Sequence, residues 1–199
     1  MAANDRFFEP PLATQTLLTV RGFDDAGGRS GGIVDPQIVE VPANTVLFRL
    51  YHDSRRRFGE WWFTPYEMKQ VLDYIGIKGA VTMERAEGKS YLHKMLAVRH
   101  DWSNNSPRHL DQFVSIRLNA PLKAYHGEAD HAPDSGYNDM QKAHRFIDRH
   151  GVQRYMRQIY FPKFWQFQAA FTYMSHYPTD TVLNGAVERH RRGPLPFES

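Results

Sequence analysis

The chain has 199 residues, 41% of them hydrophobic and 24% charged, so it can bury one sizeable core and is too short for two ordinary domains to be the default. Its 25 Lys and Arg against 22 Asp and Glu leave a formal charge of +3, a mild excess that suits anionic ligands without demanding nucleic acid. The absence of cysteine excludes disulfide frameworks, thiolate metal sites and cysteine nucleophiles. The opening MAANDRFFEPP lacks a signal-peptide pattern, and nowhere do about 18 apolar residues run together. The expectation is a soluble protein with no membrane partner, exported, if at all, by a specialised machine.

Residues 1–15 carry no hydrophobic period, and FDDAGGRSGGIVDP at 23–36 holds four glycines, so both read as loop, with a short strand over Thr16–Arg21 between them. Ile38–Val41 and Val46–Tyr51 read as strands around the turn Pro42-Ala43-Asn44. Thr64-Pro65-Tyr66-Glu67 is a helix start with a capping Thr, Pro at the first helical position and an acidic residue three after the cap; Gly76 can end that helix. A second helix is expected over residues 90–99. Period-two alternation of Val114, Ile116 and Leu118 against Phe113, Ser115 and Arg117 marks a strand that Pro121 breaks and Leu122–Tyr125 resumes. His126–Asp139 reads as polar loop, Asn138 as the cap of a short helix ending at Gly151, and Val152–Phe161 as a late strand. FWQFQAAFTYMSHY, apolar on nearly every face, suggests a buried closing helix, and the Arg-rich tail from Glu188 a surface segment. Strands first and helices between later strands indicate an α+β fold.

The stretch VLFRLYHDSRRRFGEWWFTP carries the most chemistry. Arg49 interrupts an apolar strand; a guanidinium cannot lose its charge, so it needs either a structural carboxylate or an anionic ligand. Arg55, Arg56 and Arg57 add positive potential or a solvated turn, Gly59 lets a ligand approach the backbone, and Trp61 or Trp62 offers a ring for stacking or simply fills core. His52 directly follows the Arg49 strand. On the late strand Gln158 and Tyr160 share a face, and a Gln there needs partners for its amide. The histidines of HGEADH, and His144 with Asp148 and His150, match no standard metal spacing, so no metal is expected. Neither a nucleophile elbow nor a phosphate-binding Walker loop is present.

In order, ANTVLFRLY, FGEWWFTP, SYLHKMLAVRHDWSNN, VSIRLNAPLKAYHGEA and RQIYFP resemble the motifs of bacterial NAD-cleaving toxin and effector domains, the NAD glycohydrolases and mono-ADP-ribosyltransferase-like toxins; the likeness spans about residues 40–163. The resemblance implies a pair of small, perpendicular sheets forming a cleft, with flanking helices. Composition reads 1–36 as a mobile segment, which leaves one domain over 37–199, catalytic by the resemblance, with a basic tail. NAD(P)+ would be substrate and no separate cofactor would be needed. Arg49 would bind the dinucleotide phosphates, Trp61 or Trp62 would stack on nicotinamide and Gln158 would hold the ribose; read from the residues themselves, Gly59, His52 and Tyr160 are further neighbours of the substrate and Glu128 an acidic group stabilising a cationic ribose. Gln158-Ile159-Tyr160 stands where arginine-directed transferases carry E-x-E, which favours water as acceptor. The resemblance further implies an immunity protein as inhibitor. The rival readings are an ADP-ribosyltransferase of protein or nucleic acid, a non-catalytic nucleic-acid-binding module and a metal-independent nuclease.

Overall fold

The computed structural model describes residues 2–22, 32–51, 57–78, 112–130, 132–133, 140–141, 145–147, 153–178, 181–182, 185 and 188. His52, Arg55, Arg56, the helix expected over 90–99 and the tail beyond 188 lie outside them. Helix α1 is Leu12–Val20; strands β1 (Ile33–Val41), β2 (Val46–Tyr51) and β3 (Trp61–Trp62) precede helix α2 (Pro65–Lys78). Strands β4 (Gln112–Leu118) and β5 (Leu122–Ala129) follow, then the short β6 (Ala132–Pro133), β7 (Met140–Gln141), β8 (Arg145–Ile147) and β9 (Gln153–Tyr155). Last come β10 (Arg157–Tyr160) and β11 (Phe171–Pro178). Two antiparallel sheets make the body: sheet I in the order β1-β5-β10-β3 and sheet II in the order β11-β4-β2. The architecture is α+β with few helices.

The sheets share one apolar layer. Leu47, Val114, Ile116, Leu118 and Phe171 of sheet II face Val41, Leu122, Ala124, Ile159 and Trp62 of sheet I, with Phe161 and Phe164 between. Burying such side chains stabilises a fold by about 1.5–3 kcal/mol each, so this layer dominates the favourable side. The turn Asn119–Pro121 joins β4 to β5 at one end, where Asn119 N–H donates to the Ala170 carbonyl at 2.7 Å. Along one edge Phe48 and Phe63 exchange both backbone hydrogen bonds, 2.8 and 3.0 Å, which links β2 to the continuation of β3. The outer face of sheet II, with Phe48, Leu50 and Phe113, lies on the side of Phe63 and Met68; Phe48 stacks on Phe113 at 5.4 Å. The outer face of sheet I is covered by α1, where Val20 packs with Ile33, Tyr125 and Tyr160.

Several local expectations hold in detail. β2 has the bounds read from the sequence, Asn44 turns at φ 68°, and Glu67 accepts from the Thr64 N–H at 3.2 Å to close the capping box. Others are corrected. Thr16–Arg21 belongs to α1: its β-branched residues suggested a strand, but Leu17 and Val20 form the inward stripe of a helix. Residues 2–8 are not loop without structure; Asn4 is fully buried and Asp5–Phe8 is a 3-10 turn. β5 continues through HGEA, so His126, Gly127 and Glu128 are strand rather than loop. β7 and β8 are strands where a short helix was expected, and β8 pairs antiparallel with β9, which falls in the late strand read from the sequence. The closing segment is two 3-10 turns, with Phe164 and Ala170 buried, and the largely exposed edge strand β11, in which only Phe171 is buried.

Asn4 holds the N-terminal segment to β5: its amide donates to the Lys123 carbonyl at 2.7 Å, and its carbonyl accepts from the Lys123 N–H at 2.9 Å. Asn4→Ala removes both partners and is expected to lower unfolding free energy by about 1–3 kcal/mol, read by urea denaturation with an unchanged slope. No change would mean the segment is not part of the cooperative fold.

Candidate functional site

Strand parity decides which residues can act together. In sheet II, Leu47, Arg49 and Tyr51 share the face turned toward sheet I, paired with Ile116, Val114 and Gln112. In sheet I, Ile159 lies in the inter-sheet core, and its register partners are His126 and Trp62. His126 and Glu128 therefore project on the inter-sheet side, with Arg157 opposite Glu128 and Gln37 opposite His126. The layer is apolar near the turn and polar away from it: His126, Glu128, Gln112 and Arg49 are half-buried, and Arg157 and His176 are exposed. His176 Nε2 lies 2.7 Å from Gln112 Oε1.

Gln158 and Tyr160 point the other way. Tyr160 belongs to the cluster beneath α1, and Gln158 pairs with Gly127, whose vacant Cβ position would lie 2.4 Å from Ile33 Cγ2 on that same side. Gly127 is thus a strand glycine over which β1 packs, not a turn glycine. Tyr160 is buried, its ring meets Trp61 edge-on at 4.8 Å, and burial together with the Glu60 carboxylate pushes its phenol far up. The sequence reading placed Gln158 and Arg49 as two halves of one cleft; the sheet separates them onto opposite faces. The same parity divides the tryptophans: Trp61 stands with Tyr160, while Trp62 is buried in the inter-sheet core against Phe164 and has no exposed face for a ligand ring.

Arg49 is tied into the segment that follows it. Its Nη1 donates to the Trp61 carbonyl at 2.7 Å, and a Cβ on Gly59 would sit 2.4 Å from its Nη2. The Gly59 carbonyl in turn accepts from Trp62 Nε1 at 2.7 Å. The close approach that Gly59 permits is that of the Arg49 guanidinium, so this arginine braces residues 59–61 against β2.

Burial first, and then the neighbouring Arg157 charge, hold the His126 imidazole below its ordinary pKa of 6.5. It is neutral at physiological pH and can accept a proton. Among the described residues no three His, Asp or Glu side chains converge as a metal site would require, and no helix is long and apolar enough to cross a membrane.

Two expectations follow. Arg49→Met strips the Trp61 carbonyl of its donor and should cost about 1–3 kcal/mol in denaturant unfolding, whereas a purely ligand-binding arginine would leave stability unchanged or raised. His126, with its folded pKa below the unfolded value, contributes stability that is present above pH 6.5 and is lost as pH falls from there through the folded pKa. The stability difference between wild type and His126→Gln should accordingly shrink over that window, and a difference independent of pH would contradict the assignment.

No family model matches the sequence, and no curated protein is significantly similar to it. Among solved structures, the chain is similar to one from the complex "Rhs1-CT in complex with cognate immunity protein RhsI1", at 10% identity and a TM-score of 0.46, covering 82% of this chain and 93% of that one. A likeness that distant fixes neither fold nor activity.

Proposed function

We propose that the chain is the catalytic domain of a bacterial NAD(P)+-cleaving toxin, a glycohydrolase acting at the polar end of the space between the sheets. The ordered motifs over residues 40–163 support this reading. The structural observation that carries it is the placement of Glu128 and His126 on the inter-sheet face of sheet I, with Arg157 opposite Glu128 in the register.

The chemistry asks little of such a site. The nicotinamide–ribose bond breaks with its electron pair leaving on the ring nitrogen, so nicotinamide departs neutral and no general acid is needed. Positive charge builds on the ribose C1 and ring oxygen, as in glycoside hydrolysis. The Glu128 carboxylate stabilises that charge. Water adds to C1 and its proton passes to the neutral imidazole of His126 or to solvent, giving ADP-ribose, nicotinamide and a proton. Arg157, with the bracing Arg49, supplies positive potential that draws an anionic substrate toward this space. Gln158 and Tyr160, given catalytic and substrate roles by the sequence motif, act here through packing beneath α1. A toxin of this kind calls for a dedicated inhibitor in the cell that makes it.

Purified protein incubated with NAD should release nicotinamide and free ADP-ribose, with no labelled macromolecule. Glu128→Gln should slow release by about 100-fold or more at unchanged stability, while Gln158→Ala should retain the rate per folded molecule. Intact NAD with folded wild type would sink the proposal, and the reverse ranking of the two variants would move the site to the other face.

A further inference from the structure

Arg57, the last of the three consecutive arginines, is not a solvated turn residue. Its guanidinium lies over the ring of Phe58 at 4.7 Å and over that of Tyr173 at 5.2 Å. Phe58 packs in turn on Phe171 at 5.0 Å, so the group is seated at the β11 side of the inter-sheet layer. Its Nε is buried with no hydrogen-bond partner. Among the described residues no carboxylate or carbonyl meets its Nη groups either. A guanidinium drawn partly out of water and given ring faces but no acceptor lacks the compensation a buried cation normally has.

Arg49 makes the contrast. Two residues beyond Arg57, Gly59 lies on the Arg49 guanidinium, whose Nη1 is bound to the Trp61 carbonyl. Each guanidinium has a buried Nε without a hydrogen-bond partner, but Arg49 on β2 also donates to the backbone, whereas the contacts of Arg57 among the described residues are the two aromatic rings. We infer that Arg57 is a phosphate-binding residue, its stacked guanidinium donating to the diphosphate oxygens of a nucleotide ligand. Planar guanidinium suits this role better than ammonium because its paired N–H groups match two phosphate oxygens, and the rings of Phe58 and Tyr173 fix its plane before the ligand arrives. The identification of that ligand as NAD rests on the proposed glycohydrolase reading; the anion site itself does not.

The test is calorimetric titration of the full chain with ADP and, separately, inorganic pyrophosphate, for wild type, Arg57→Gln and Arg57→Lys. Wild type should bind ADP, Arg57→Gln should bind it about 10- to 100-fold more weakly, and Arg57→Lys should fall between, since charge remains while the flat pair of donors is lost. Pyrophosphate should show the same order, and ADP tighter than pyrophosphate identifies a nucleotide rather than a bare anion as the ligand. Equal affinity for ADP in wild type and Arg57→Gln, or no binding by wild type, would overturn the inference. Arg57-dependent ADP binding in a protein that leaves NAD intact supports the anion site and removes only the glycohydrolase reading. Nicotinamide release with the same KM in wild type and Arg57→Gln does the opposite.

Discussion

The reciprocal backbone pair between Phe48 and Phe63 joins the two sheets along one edge, and the rest of the arrangement depends on it. With β2 held there and β4 tied to β5 through the Asn119–Pro121 turn, the inner faces of both sheets are obliged to share a single apolar layer. The layer is wholly apolar near the turn and admits polar side chains among Ile159, Trp62 and Tyr51 farther along. Farther out, β5 offers His126 and Glu128 and β2 offers Arg49, and polar side chains tolerate such a position only where water, a partner or a ligand reaches them.

The same pairing assigns labour between the two faces of sheet I. The side beneath α1 is filled by Tyr125, Tyr160, Ile33 and Val20, with Asn4 and Phe8 stapling the N-terminal segment onto it. The inter-sheet side carries the carboxylate, the imidazole and the cations. A reactive site needs groups that are positioned and still reachable, and half-buried Glu128 and His126 meet that condition better than Gln158, which is 9% exposed. The segment after β2 contributes twice, with Arg49 fixing its backbone and Arg57 resting on its aromatic ring.

Local rules made part of this legible. The Val46–Tyr51 strand, the Thr64 cap and the alternation over Phe113–Leu118 are written in neighbouring residues and appear as read. The failures share one cause, which is that a face is defined by what packs on it. Gln158 and Tyr160 do share a side of their strand, but only the pairing of β10 with β5 and β3 reveals that this side lies under α1. The β-branched Thr16, Thr19 and Val20 fit a strand until the inward stripe of Leu17 and Val20 decides for a helix. In β5, His126 and Glu128 already alternated with Tyr125, Gly127 and Ala129, but their polarity suggested loop because the polar inter-sheet end was not foreseeable. Arg57 looked like one of three solvent-facing charges, since nothing near it in sequence announces Tyr173.

The proposed site holds a dinucleotide between the sheets and not on the face beneath α1. A crystal structure of Glu128→Gln with NAD bound tests it most directly. The nicotinamide ribose is expected beside residue 128 and His126, with the diphosphate on Arg57. Density for the ligand against Gln158 and Trp61, on the α1 side of sheet I, would contradict it.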